Sequence, residues 1–164
     1  SEFKELNERL SLLNQQPEVL REKKKGDYLV ENRMYVNAVR IYENALQKED
    51  KEGLGEQFNG GIYHNMGCAY LNLFQFQEAA DCFWKAYELL HTKQVYRHYL
   101  TASYMRNPQE FPQICRKMEV EAEEQEEIIR NLEQSAKKAR KVSGEDTDGL
   151  LEQFIRDYHR STGF

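Results

Sequence analysis

Proline is nearly absent, with three in 164 residues. Each interior proline would remove a backbone donor and clash with the preceding turn, so this scarcity leaves long stretches free to be helical. Cysteine is as scarce, and its count of three is odd. Cys68 and Cys82 fall on patterned segments and Cys115 stands apart, so reduced, cytoplasmic thiols are expected rather than a disulfide framework. No apolar run approaches the roughly eighteen residues that would span a bilayer. The polar start has no apolar stretch of the kind a signal peptide carries. Positive charge is short: 23 Lys and Arg against 28 Asp and Glu leave a formal charge of −5. That argues against nucleic acid as a partner, since phosphate binding needs a positive surface.

Apolar content is ample at 40 %, enough for one domain with a real core. The most patterned stretch is 62–89, IYHNMGCAYLNLFQFQEAADCFWKAYEL. Tyr63, Met66, Gly67, Tyr70 and Leu73 recur at helical spacing. Phe76, Ala79, Ala80, Phe83, Ala86 and Leu89 do so again after a break at Phe74–Gln75. The spacing predicts two amphipathic helices joined by a tight turn, with small residues where the helices approach. This unit resembles a tetratricopeptide (TPR) repeat. Tyr63, Met66, Gly67, Tyr70, Phe76, Ala79, Phe83 and Ala86 stand at the family's patterned positions, while its closing Pro is replaced near His91.

A similar copy lies upstream, where Gly26, Leu29, Tyr35, Ala38, Tyr42 and Ala45 align with Gly67, Tyr70, Phe76, Ala79, Phe83 and Ala86. The two copies are about 41 residues apart, against about 34 in the family. A third copy begins at YRHYLTASYMRN, with Leu100, Thr101 and Tyr104 matching Met66, Gly67 and Tyr70. It degenerates in its second half, where Gln113 and Lys117 take the Ala and Phe places. The resemblance implies an all-α fold of antiparallel hairpins stacked in a right-handed TPR-like solenoid. Residues 1–110 would form the array, with Phe3, Leu6, Leu10 and Leu13 marking an N-terminal capping helix. The segment EDKEGLGEQFNGG is expected to be a long inter-repeat loop that absorbs the extra residues. It is no phosphate loop, since no Lys-Ser or Lys-Thr follows its glycines.

Residues 111–164 differ in character but are expected to pack as part of the same unit. Ile114, Met118, Ala122, Gln125, Ile129, Leu132, Ala136 and Ala139 recur at steps of three and four, predicting one long charged helix over about 112–142. Its acids come early, from Glu119 to Glu127, and its bases late, from Lys137 to Lys141, an order that suits the helix dipole. A polar linker, Ser143–Gly149, precedes a short helix over 148–160. Leu150, Leu151, Phe154, Ile155 and Tyr158 would share one side of it and need a surface to cover them.

Motifs for chemistry are few. His64 and Cys68 are four apart, and His98 shares His64's repeat position, but no CxxC or HExxH accompanies them. No Ser or Cys is matched to a base, and Glu pairs arise by chance on Glu-rich helices. The chain is therefore expected to be no enzyme, with no catalytic residue, metal or cofactor. The resemblance instead implies a scaffold or adaptor whose concave face binds a protein or peptide, without nucleic acid or membrane. Carried across by alignment, groove positions fall at Leu20, Lys23, Asp27 and Val30 in the first repeat. In the second they are Gly61, His64, Cys68 and Leu71, with Asn65 and Asn72 beside them. In the third they are Val95, His98, Ala102 and Met105. Some chaperone-binding members clamp a terminal carboxylate with Lys, Asn and Arg side chains. Here Lys23 and Asn65 match that set, whereas Asp27, Val95 and Tyr99 replace an Asn, a Lys and an Arg. Two alternatives stay open: self-association, including a homodimer, through the C-terminal helices, and the peptide-sensing half of a regulator whose effector domain lies outside these residues.

Overall fold

The computed structural model describes residues 1–14, 17–52 and 54–143, with side chains for 1–9, 17–48 and 54–134. Among the described residues the chain is all-α, with no strand. Its helices are α1 (Glu2–Asn14), α2 (Glu18–Glu31), α3 (Tyr35–Glu52), α4 (Glu56–Asn72), α5 (Phe76–Leu90), α6 (Lys93–Arg106), α7 (Phe111–Lys117) and α8 (Ala122–Ser143). None of the described helices is long and apolar enough to cross a membrane. The predicted helix with Leu150, Leu151, Phe154, Ile155 and Tyr158 lies outside the described residues.

Helices pack chiefly on their neighbours in sequence. α2 pairs with α3 and α4 with α5, and these hairpins meet through α3 and α4. Register shows that both pairs are antiparallel. Glu18, at the start of α2, meets Lys48 of α3 at 2.7 Å, while Gly26, further along α2, meets the earlier Tyr42. In the second pair Gly60 meets Leu90 and Gly67 meets Phe83.

The two hairpins share one packing device. A Cβ built on Gly26 would lie 2.6 Å from Tyr42 Cε1, and one on Gly67 would lie 2.7 Å from Phe83 Cδ1 and Cε1. Both rings are fully buried. Glycine is required here because it lets an aromatic ring lie directly on a helix backbone. The alanines opposite, Ala38 and Ala45 in α3 and Ala79 and Ala86 in α5, are also fully buried.

The hairpin turns share a second device. α2 and α4 each end in a Schellman motif, which satisfies carbonyls that the helix leaves free. Met34 N donates to Leu29 O at 2.8 Å and Arg33 N to Val30 O at 3.0 Å. Gln75 N donates to Tyr70 O at 3.0 Å and Phe74 N to Leu71 O at 3.1 Å. Arg33 and Phe74 take the left-handed position, each at φ 61°.

Two expectations are corrected. The glycine-rich segment is not a long loop. α3 runs on to Glu52 and α4 begins at Glu56, so Gly60 and Gly61 are helical. Gly60 is there for contact, since its Cβ would lie 2.5 Å from Leu90 Cγ. Among the described glycines of the segment, only Gly55, at φ 100°, needs glycine's backbone freedom. The single helix over 112–142 is two helices. A third Schellman motif ends α7, with Val120 N on Cys115 O at 2.9 Å, Glu119 N on Arg116 O at 3.2 Å and Glu119 at φ 55°. The reversal lets Ile128 and Leu132 of α8 join Leu100, Phe111 and Cys115 in one buried cluster. Arg97 of α6 adds ion pairs to Glu124 at 3.4 Å and Glu127 at 3.1 Å. Phe3 and Leu6 of α1 are 72 % and 55 % exposed, and the side chains of Leu10 and Leu13 lie outside those described.

Gly67→Ala and Gly26→Ala should each lower stability by about 1–3 kcal/mol through overpacking against a ring that has nowhere to go. The loss should appear although alanine is the better helix former by about 1 kcal/mol. Arg33→Gly should act oppositely and raise stability by roughly 0.5–1 kcal/mol, because it relieves the left-handed strain of a residue with a Cβ. Urea titrations of the three variants give all three signs.

Candidate ligand-binding face

The aligned groove positions lie on α2, α4 and α6, the first helices of the three repeat copies. At one end, three helices converge on a single carboxylate. Lys23 Nζ of α2 bonds Asp27 Oδ2 at 2.8 Å. Tyr42 of α3 and Asn65 of α4 both donate to Asp27 Oδ1, the latter at 2.8 Å. The Tyr42 hydroxyl is held protonated, chiefly by burial and then by its bond to Asp27. The two groups that could have gripped a ligand carboxylate, Lys23 and Asn65, are thus both engaged by Asp27. Asp27 stays partly open, with 33 % of its side chain exposed.

Towards the other end, the histidines of equal repeat position meet. His64 Nε2 of α4 lies 2.9 Å from His98 Nδ1 of α6. Their ring planes are within 9° of parallel, and Phe83 of α5 is tilted against both, at 5.8 and 5.5 Å between centroids. Such a bond needs one imidazole to donate and the other to accept. His98 is buried and His64 half-buried. Burial pushes the His64 pKa down, and a side-chain bond with Asn65 opposes this only partly.

The remaining positions divide by exposure. Cys68, Leu71, Val95 and Ala102 are buried, so they hold α4 and α6 in the stack and offer little surface. Val30, Asn72 and Met105 are half-buried, and Asn72 Nδ2 donates back to Cys68 O at 2.8 Å. Burial raises the Cys68 thiol pKa well above its usual value, which disfavours a thiolate nucleophile. Among the described residues, no three His, Cys, Asp or Glu side chains converge as metal ligands would. The structure therefore gathers Lys23 and Asn65 on Asp27 and pairs His64 with His98, and Asn65 links the two groups through its bond with His64. Sequence reasoning missed Tyr42, the buried hydroxyl that completes the first network. Its only sequence signal is a Tyr where the second copy has Phe83.

Comparison with family models, with curated proteins and with solved structures finds no match.

The His64 shift gives a pH dependence of stability. A histidine whose folded pKa lies below its unfolded value binds protons better in the unfolded chain. Its contribution is intact above the unfolded value, near 6.5, and is lost as pH falls through the folded value. Thermal melts should therefore show the melting temperature falling from pH 7 to pH 5, before most carboxylates titrate. His64→Gln should flatten that slope; an equal slope in the variant would assign it to other groups.

Proposed function

We propose that this chain is a non-enzymatic scaffold or adaptor module that binds a protein or peptide on the concave face of a right-handed TPR-like stack. The observation that carries the reading is the repeated packing device, Gly26 beneath Tyr42 and Gly67 beneath Phe83 at matching positions of consecutive hairpins. A hairpin cannot bury both its faces alone, and stacking such units generates an extended ligand-binding surface. In this reading α2, α4 and α6 line that surface. Half-buried Val30, Asn72 and Met105 supply apolar and amide contacts, and the Asp27 network supplies a polar end that fixes register.

A carboxylate-terminated ligand is disfavoured at the Asp27 end, because Lys23 already serves Asp27 and the ligand would approach an existing negative charge. A ligand donor group near Asp27 suits the same geometry better. The three free, buried cysteines fit a reducing, cytoplasmic setting.

The test is affinity capture of a partner followed by titration of the purified pair. Val30→Glu and Met105→Glu should each weaken binding about tenfold, or about 1.4 kcal/mol, with circular dichroism checking that each variant stays folded, since both side chains also pack against the core. Leu71 is unsuitable as a probe because it is 1 % exposed and its truncation would disturb the core. Unchanged affinity in both variants would move the ligand off this face.

A further inference from the structure

We propose a second binding site, on the seam between α5 and α6, for an extended acidic peptide with an aromatic anchor. It rests on the preceding reading only for the ligand class, since it uses a different set of residues. A cleft of about 440 Å³ opens there, lined by Asp81, Trp84, Lys85, Tyr99 and Arg106.

The aromatic part comes first. Trp84 lines the cleft and is 38 % exposed. Its ring contacts Tyr99 at 5.1 Å and 52°, and Tyr87 at 5.8 Å and 44°. The tilted rings offer faces and edges to a further ring, the arrangement aromatic pairs prefer. Trp and Tyr beside a cleft are also residue types that dominate binding energy at interfaces.

The charged part gives the ligand its sign. Two cations, Lys85 and Arg106, face one acid, Asp81, within a chain whose net charge is −5. Asp81 accepts from Gln77 Nε2 at 3.0 Å. Arg106 reaches Glu110 at 3.4 Å, and Glu110 is 54 % exposed. A pair of that kind contributes about 0–1 kcal/mol, so a ligand carboxylate can replace it at little cost. Lys85 Nζ lies 5.3 Å from the Tyr63 ring centroid and is otherwise exposed.

Spacing then favours a peptide over a small anion. Tyr99 and Arg106 are two helical turns apart, about 10 Å. Three residues of extended chain cover that length. An anchor seated on Trp84 and Tyr99 thus brings the side chain three residues later to Arg106. On the other side of the anchor, Lys85 lies next to Trp84 in α5. The ligand pattern is an acid, an aromatic residue, two spacers and an acid. Two cations are too few for a nucleic-acid surface, which tracks a phosphate chain with many.

Trp84 is the only tryptophan, so its emission reports on this cleft directly. The full chain would be titrated with capped pentapeptides of sequence DFSGE, NFSGQ and DSSGE. DFSGE should shift the emission to the blue and saturate. NFSGQ should bind at least tenfold more weakly, and DSSGE should give no shift. Arg106→Glu and Lys85→Glu should each weaken DFSGE at least tenfold while leaving the circular dichroism unchanged. Val30→Glu should leave the DFSGE titration unchanged, so that failure at the α2, α4 and α6 face is told apart from failure here. Equal binding of DFSGE and NFSGQ, no response at millimolar peptide, or a response to inorganic phosphate or anionic phospholipid vesicles in place of DFSGE would overturn the proposal.

Discussion

The architecture depends on rings laid directly on helix backbone. Gly26 and Gly67 have no Cβ, so Tyr42 and Phe83 occupy space that any other residue would claim. That contact sets how closely the two helices of a hairpin approach, and hence how Ala38, Ala45, Ala79 and Ala86 come to be sealed from water. Phe83 also touches His64 within its own hairpin and His98 of α6 beyond it, so the ring that closes the second hairpin also braces the next helix. Tyr42 does comparable work with a different group. Its hydroxyl ties the first hairpin to Asp27, whose other partner on the same oxygen comes from α4.

The third copy shows what happens when the contact is absent. Thr101 stands in the glycine place and turns its hydroxyl back to Arg97 O at 2.9 Å. No ring can lie on that backbone, and Lys117 in the corresponding place is exposed. The core is built differently there, from Leu100, Phe111 and Cys115 with Ile128 and Leu132 of α8. Tyr104 meets Phe111 edge-on at 5.3 Å. α7 is correspondingly short, and α8 takes over the task of covering α6.

Much of the two hairpins was legible in the sequence, because small and aromatic residues at helical spacing report local geometry. The turn at Phe74–Gln75 could be placed for the same reason: the apolar phase breaks there. What could not be read depends on neighbours distant in sequence. Gly60 looks like a helix breaker until Leu90 lies on it. The end of α7 carries no glycine or proline; Glu119 takes a left-handed conformation because Ile128 and Leu132 gain a buried place once the chain reverses. The candidate groove was legible as a set of positions, but exposure was not. Val95, His98 and Ala102 align with groove positions, yet all three are buried, with α5 packed on α6, His64 on His98, and Ala102 clustered with Cys68, Leu71 and Phe83. The Lys23, Asp27, Tyr42 and Asn65 network draws on three helices, and pattern within any one helix cannot reveal it.

The pairing of helices with their sequence neighbours bears on how the chain is made. Both contacts that define the first hairpin, Gly26 with Tyr42 and Glu18 with Lys48, lie between Pro17 and Glu52. Contacts this local close short loops at small entropic cost, the condition under which helical proteins fold fastest. The first hairpin can thus form as soon as its last turn leaves the ribosome, before the second hairpin has emerged. The second hairpin then finds a surface already waiting, with Val39 and Tyr42 in place to receive Ile62 and Met66. Synthesis from the N-terminus and the packing of each helix on the one before it proceed in the same direction, and each newly made apolar face is covered by the helix that follows it.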